Sequence, residues 1–121
     1  MALNVMQFTR EKGKSIDRFG SDFVMSRILE HHGDVHIACI HLEAKERIGY
    51  HDAVVSQLFL VAEGEGWVCG ENDVRVPIQA GQAAFWEKGE GHGAGTGSKM
   101  TAIVIESDGL DPEMIMAEKL S

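Results

Sequence analysis

The sequence predicts an all-β domain, either a sandwich or a barrel, from three observations. Short apolar runs recur along most of the chain, and glycine-bearing turns separate them. The chain has 121 residues, which is the usual size of one domain. Hydrophobic residues make up 44% of it and charged residues 25%, a composition that supports a single packed core. Short strands spaced about 8–12 residues apart and joined by short turns are typical of sandwiches and barrels.

Seven apolar runs have the length and composition of β-strands. In chain order they are residues 23–29, 35–42, 57–62, 67–69, 74–78, 82–86 and 100–106. Pro77 predicts that the run 74–78 is an edge strand or the end of one, because proline lacks a backbone N–H. Residues 63–66, which read Glu-Gly-Glu-Gly, predict a turn between the third run and the fourth.

The glycine-rich segment 89–97 superficially resembles a phosphate-binding loop. Such a loop leads into a helix N-terminus, whereas a strand pattern follows here, and the chain lacks the lysine signature that completes the motif. We therefore expect a flexible or tightly turned connection between two strands, and this connection carries His92.

The two ends of the chain differ from the middle. Asp111 followed by Pro112 is the pattern of a helix start, so residues 114–120 are predicted to form a short helix that packs on the barrel or on a second subunit. The first twenty residues are polar and weakly patterned, and they are predicted to form an irregular arm or an edge strand.

The charge balance excludes two classes of partner. The chain has 11 basic and 19 acidic residues, for a net charge of −8. Binding to nucleic acid through phosphates, or to an anionic membrane surface, requires a clustered positive face, so neither is expected. No apolar run is long enough to cross a membrane, and no secretory signal is evident, so we expect a cytoplasmic protein.

The two cysteines, Cys39 and Cys69, stand 30 residues apart and form no C-x-x-C pair. This spacing gives no zinc knuckle and no thioredoxin motif. Because both lie in apolar runs, we expect buried free thiols, with a disulfide or a reactive thiol as the alternatives.

The chain has six histidines, and two of them form the strongest chemical grouping together with a glutamine. His51 and Gln57 are separated by an even offset, so both face the same side if they lie on one continuous strand. A barrel then brings His92 across from another strand. Two imidazoles and an amide oxygen would form a three-point metal site with open positions.

These residues also carry a resemblance to the cupins. The pattern His-x-His-x3-Glu-x6-Gly of that family aligns with His51, Gln57 and Gly64, and the pattern Gly-x5-Pro-x-Gly-x2-His-x3-Asn aligns with Gly81, Gly89 and His92. The resemblance covers residues 43–106, about half of the chain.

The departures from the two motifs fall on the ligand positions. Ala53 occupies the place of the second histidine, and Gln57 occupies that of the glutamate. Lys45, Glu87 and Thr96 replace a glycine, the proline and the asparagine. A neutral glutamine does not compensate the charge of a divalent ion, so metal affinity is expected to be lower than with a carboxylate.

The resemblance implies a single cupin domain over residues 1–121. It implies a jelly-roll barrel (double-stranded β-helix) that holds a divalent metal, Zn, Ni, Mn, Fe or Cu, on His51, Gln57 and His92. Phe59, Trp86 and His41 are expected to line a small-molecule pocket, and His41 or His36 is the candidate replacement for the ligand lost at Ala53. The resemblance further implies a homodimer.

Three functions remain open at this stage. The first is a metal-dependent enzyme that carries out an oxygenation, an isomerisation or a decarboxylation, because fold alone does not select the reaction. The second is a non-catalytic module that binds or senses a small molecule and keeps a vestigial metal site. The third is a structural or storage role with an empty pocket.

Overall fold

The computed structural model describes residues 3–120 and consists mainly of β-strands. The eleven strands are β1 (Asn4–Gln7), β2 (Lys14–Ile16), β3 (Phe23–Met25), β4 (His36–Glu43), β5 (Arg47–Asp52), β6 (Ser56–Cys69), β7 (Arg75–Gln79), β8 (Gln82–Trp86), β9 (Gly91–Gly95), β10 (Lys99–Ser107) and β11 (Glu118–Lys119). The helices of residues 3–120 are three-residue 3₁₀ turns at Arg10–Lys12, Arg18–Gly20 and Pro112–Met114. None of them is long enough to cross a membrane.

The strands form two layers that share β6. The first layer has the order β11-β1-β8-β6-β10-β4, and the pairings within it are antiparallel. In the second layer, the C-terminal half of β6 pairs with β7 on one side and with β9 on the other, and β9 pairs with β5. The predicted all-β jelly roll is therefore present, and β2 and β3 form a separate two-stranded hairpin.

Strand β6 is longer than the sequence predicts, because the turn expected at residues 63–66 does not form. The chain bends there while it remains paired. Thr101 pairs with Glu63 and Ala102 pairs with Val61, so one residue of β6 is bulged out. Gly64 follows with φ +79°, and a Cβ at this position would collide with the Lys99 carbonyl oxygen. The glycine thus marks a bend that carries one strand from the first layer into the second.

Side-chain alternation divides the core into two clusters. The cluster between the layers contains Leu42, Phe59, Val61, Val68, Ile78, Ala84, Trp86, Ala94, Met100, Ala102 and Val104. The cluster on the outer side of the first layer contains Met6, Leu58, Leu60, Ala83, Phe85 and Leu110. Successive residues of β6 and β8 enter opposite clusters, as the period-2 geometry of a strand requires.

The glycine-rich connection expected at residues 89–97 is a buried strand over most of its length. All five residues of β9 are buried, and at Gly91 and Gly95 a neighbouring side chain lies where a Cβ atom would stand. A Cβ on Gly95 would be 2.5 Å from the Trp67 ring, and one on Gly91 would collide with the Tyr50 hydroxyl. Glycine here allows two rings to pack directly on the backbone of β9.

The C-terminal helix expected at residues 114–120 is reduced to a single 3₁₀ turn. The predicted cap is present, since Asp111 accepts a hydrogen bond of 2.9 Å from the backbone N–H of Glu113. The turn ends at Met114, and the chain then extends so that β11 pairs with β1. Pairing with the free edge of β1 satisfies backbone groups that a helix at this position would leave facing solvent.

The expectation of two buried thiols is correct for Cys69 and wrong for Cys39. Both cysteines are free, but Cys39 lies on the exposed side of β4, whereas Cys69 is 1% exposed. Burial raises the pKa of the Cys69 thiol. Cys69 is therefore a packing residue and Cys39 is the accessible thiol.

The packing on β9 predicts a contrast between two neighbouring glycines. Gly95→Ala should lower the free energy of unfolding by about 1–3 kcal/mol, because the new methyl group overlaps the Trp67 ring. Gly97→Ala is the matched control: a Cβ there meets nothing within 4 Å, and it should change stability by less than about 0.5 kcal/mol. Urea unfolding measures both values. Equal stabilities of the two variants would contradict the packing described for β9.

Candidate functional site

The structure brings His51, Gln57 and His92 together between the layers. His51 is directly opposite His92 in the pairing of β5 with β9, and the two ring centroids are 4.3 Å apart. Gln57 lies near the start of β6, and its Nε2 atom is 2.7 Å from Nε2 of His92. Three side chains that are distant in sequence thus converge from two layers.

The inward direction of His51 depends on a β-bulge in β5. Ile48 pairs with Ala94 and packs on the core between the layers, so His51, at an odd offset, would face outward in a regular strand. Ile48 and His51 are three residues apart on β5, but their partners on β9, Ala94 and His92, are only two residues apart. The extra residue in β5 reverses the side-chain direction, so His51 faces inward. The continuous strand assumed from the even spacing of His51 and Gln57 does not exist, because residues 53–55 separate β5 from β6.

A backbone contact sets the tautomer of His51. Its Nδ1 atom is 2.7 Å from the carbonyl oxygen of Gly49. A carbonyl only accepts, so Nδ1–H donates and Nε2 keeps the ring's lone pair. The backbone thus performs the orienting role that an outer hydrogen bond commonly has for a metal-binding histidine.

The contact between Gln57 and His92 assigns the second imidazole in the same way. The amide N–H of Gln57 donates to the lone pair on His92 Nε2, which places the ring proton on Nδ1. Within residues 3–120, this buried Nδ1 has no hydrogen-bond partner. Both lone pairs that suit a metal, on His51 Nε2 and His92 Nε2, are therefore on the ring atoms that the local contacts leave unprotonated.

The three side chains form a gradient from solvent to core. His51 is exposed, Gln57 is half-buried and His92 is only 3% exposed. Burial lowers the pKa of His92, and a positive charge on the neighbouring His51 would lower it further. Loss of hydration disfavours the imidazolium form, so His92 is kept neutral, which is the form that coordinates a metal.

Trp86 and Phe59 form the inner wall of this group. The Trp86 ring centroid is 4.8 Å from that of His92, and Phe59 packs edge-on against Trp86 at 5.9 Å. The indole N–H donates to the Cys69 carbonyl oxygen at 3.0 Å, which fixes the ring. Both aromatic residues are 1% exposed, so they close the back of the site.

His41 does not line the site. It follows Ile40 and precedes Leu42, both of which pack on the core between the layers, so alternation along β4 directs His41 to the outer face. It is exposed there and cannot replace the ligand lost at Ala53. Ala53 itself is buried, and its backbone bonds with Gly89 and Glu90 fix the loop beside the site.

The sequence reasoning named His36 only as a replacement ligand and missed Glu106, which completes a row of polar residues at the mouth of the barrel. Gln57 pairs with Glu106, which in turn pairs with His36, so the three side chains share one face. Glu106 and His36 line a cavity of about 510 Å³ together with Val54 and Val55. The sequence contained one signal for this position. Glu106 is at an even spacing from the apolar residues 102 and 104 of the predicted last strand, which places its side chain on the same face as theirs.

Glu90 is a second buried polar group near the site. One carboxylate oxygen accepts a hydrogen bond of 3.0 Å from the Glu87 backbone N–H, and the other has no partner within residues 3–120. Burial raises the pKa of this carboxyl group. In the described part of the chain, no cluster of three or more His, Cys, Asp or Glu side chains is arranged to hold a metal, so a metal site here requires the Gln57 amide.

Three solved structures illustrate which proteins this chain is similar to in fold. A cupin-2 domain protein from Shewanella frigidimarina has 21% identity and a TM-score of 0.54, over 66% of this chain and 76% of that one. A predicted oxalate decarboxylase from Thermotoga maritima has 24% identity and a TM-score of 0.52, over 57% of this chain and 62% of that one. A salicylate 1,2-dioxygenase from Pseudoaminobacter salicylatoxidans, in complex with gentisate, has 17% identity and a TM-score of 0.56, over 60% of this chain and 20% of that one.

Sequence comparison adds no closer relative: no protein-family model and no curated protein matches the chain. The identities to the similar structures are low, so the likeness concerns the fold. The strand arrangement and these structural neighbours agree on one architecture. The chain has a jelly-roll fold similar to that of these cupin structures.

Proposed function

We propose that the protein binds a divalent metal ion through His51, Gln57 and His92, and that this metal takes a small-molecule ligand at the mouth of the barrel. The observation that carries the proposal is the 2.7 Å approach of the Gln57 amide to His92 Nε2, with His51 directly across the ladder. With the amide turned so that its oxygen, rather than the N–H that donates to His92, faces the group, two unprotonated imidazole nitrogens and an amide oxygen form a set of donors that fits a metal with open positions.

The donor set favours particular metals and ligands. Imidazole suits zinc, copper, iron and nickel, whereas a manganese ion prefers carboxylate and carbonyl oxygens. All three donors are neutral, so the bound ion keeps its full double charge and attracts an oxygen-bearing, anionic ligand. When bound, such a metal polarises a ligand oxygen or lowers the pKa of a water molecule.

The chain's own residues would define the ligand's surroundings. Trp86 closes the inner side of the group and excludes water from His92. On the outer side, Glu106, the residue paired with Gln57 across the ladder, and His36 line a cavity of about 510 Å³. A ligand in that cavity would meet a carboxylate and an imidazole, which can hold or transfer a proton. The structural neighbours, one a dioxygenase and one a predicted oxalate decarboxylase, support a small-molecule ligand without selecting a reaction.

A second candidate is a binding module without turnover, and the same hydrogen bond favours it. The Gln57 amide already provides a hydrogen bond to His92 Nε2 in the absence of metal. A carboxylate in place of the amide could not donate to an unprotonated imidazole, so the glutamine stabilises the metal-free site. Ligand binding that persists in a chelator would support this second candidate over the first.

The first candidate predicts two opposite effects on metal affinity. His92→Ala should weaken zinc binding more than about tenfold, because it removes the most buried donor. Gln57→Glu should strengthen it by about tenfold, since a carboxylate compensates part of the ion's charge and metal affinity rises with such compensation. Isothermal titration with Zn²⁺, Ni²⁺ and Mn²⁺ measures each variant.

His41→Ala is the matched control, because this exposed histidine on the outer face should leave metal affinity unchanged. The proposed ligand set is wrong if wild type takes up no metal, or if His41→Ala and His92→Ala weaken binding equally. Lower pH should weaken binding in wild type, because protons compete for the imidazole nitrogens.

We also propose that the chain forms a homodimer through β4. This strand ends the first layer, and β10 is its only strand partner within residues 3–120. Ile37 is 64% exposed and Cys39 is exposed on the same face of β4. A free edge with an exposed apolar side is the usual site of pairing with another chain. Antiparallel pairing of two β4 strands about a two-fold axis would place the two Cys39 residues near that axis.

Light scattering should therefore give twice the mass of one chain, and Ile37→Lys should shift the protein to monomers by placing like charges near the axis. Mild oxidation should link two wild-type chains through Cys39, whereas Cys39→Ser should abolish the link without changing the mass in solution. A monomer at about 100 μM, far above the dissociation constant of a stable dimer, would contradict β4 pairing.

A further inference from the structure

A second cavity is formed by elements that carry none of the candidate metal ligands. It has a volume of about 440 Å³ and is bounded by β1, the β2–β3 hairpin and the segment that leads into β11. Its lining contains three cations, Lys12, Lys14 and Arg27, and a single acidic residue, Glu118. None of the residues that line it belongs to the group formed by His51, Gln57 and His92.

The three cations are unusual because the chain as a whole has a net charge of −8. Lys12 is 3.5 Å from Glu118, in an exposed ion pair of low strength. Within residues 3–120, Lys14 and Arg27 have no ion pair and no side-chain hydrogen bond. Cations that face a concave surface together repel one another, and for Lys14 and Arg27 no ion pair in the described part of the chain offsets this repulsion.

An apolar surface adjoins the cations. Lys14 pairs with Met25 and Ile16 pairs with Phe23, so Lys14, Ile16 and Met25 share one face of the hairpin. Met25 is 39% exposed and Met116, on the opposite wall, is 50% exposed. Two flexible methionine side chains provide an adaptable surface for an apolar group.

The walls of the cavity are tied together independently of any ligand. The Ser26 hydroxyl donates to the Thr9 carbonyl oxygen at 2.7 Å, which holds the hairpin to the chain that enters it. The backbone N–H of Met116 donates to the Ile28 carbonyl oxygen at 2.7 Å, which holds the C-terminal segment against the hairpin's exit. These hydrogen bonds therefore fix the position of the cations relative to the apolar surface.

We propose that this cavity binds a small organic anion, in which a phosphate or carboxylate group contacts Lys12, Lys14 and Arg27 and a short apolar chain lies on Ile16, Met25 and Met116. Arginine and lysine recognise phosphate and carboxylate oxygens through charge-assisted hydrogen bonds. The volume suits a metabolite-sized ligand.

The test compares four probes by isothermal titration in 20 mM buffer with a chelator present. These are inorganic phosphate, hexyl phosphate, hexanoate and hexanol. Hexyl phosphate should bind at least about tenfold more tightly than inorganic phosphate, because its chain is removed from water, and hexanol should not bind. Added salt should weaken binding by screening the charges. The order of hexyl phosphate and hexanoate identifies which anionic group the cations prefer.

Matched double variants localise the binding. Lys14→Gln with Arg27→Gln should weaken hexyl phosphate binding more than about tenfold. Lys45→Gln with Lys99→Gln removes the same charge at residues outside this cavity and should have little effect. His92→Ala should leave binding unchanged, so the result is independent of the proposed metal site. In the wild type, the methyl NMR signals of Met25 and Met116 should shift on titration.

Three outcomes would overturn the proposal. The first is absence of saturable binding by hexyl phosphate. The second is an equal loss in the two double variants, which would show general charge attraction rather than a site. The third is binding to vesicles of anionic lipid without binding of free hexyl phosphate, which would identify the hairpin as a membrane-contacting surface.

Discussion

The continuity of β6 through both layers is the constraint on which the rest of the structure depends. Its first half pairs with β8 and β10, and its second half pairs with β7 and β9. The bend requires a residue that accepts a positive φ and has no side chain, because the Lys99 carbonyl oxygen occupies the Cβ position of Gly64. One strand thereby sets the relative position of the two layers, and with it the distance between Gln57 and the histidines opposite.

The candidate site follows from this arrangement and from one local irregularity. The first layer contributes Gln57, and the second contributes His51 and His92. Without the bulge in β5, the His51 side chain would be on the opposite face of the sheet from His92, and the group would contain a single histidine. The resulting group is partly buried and internally hydrogen-bonded, so contacts within the chain hold its side chains in place, and these contacts leave the Nε2 atoms of both histidines without a proton.

Much of the fold was predictable because strand composition and turn glycines are local signals. The runs that became β4, β8 and β10 and the grouping of His51, Gln57 and His92 were predicted from such signals and from the cupin resemblance. The bend at Gly64, the burial of β9 and the outward direction of His41 were not, because each depends on which strand lies opposite. The same holds for Glu106, whose place beside Gln57 is a matter of register between two strands 49 residues apart along the chain.

The glycines of β9 have a consequence for how His92 is insulated. The strand carries few side chains of its own, so its outer surface is covered by the rings of Trp67 and Tyr50 from neighbouring strands. Tyr50 is held there by its hydroxyl, which donates to the Glu71 carbonyl oxygen at 2.9 Å, and Arg75 stacks on Trp67 at 3.9 Å. On the outer side of β9, two aromatic residues from other strands therefore shield the buried imidazole of His92 from bulk water. Polar contacts at the molecular surface hold these two rings in place.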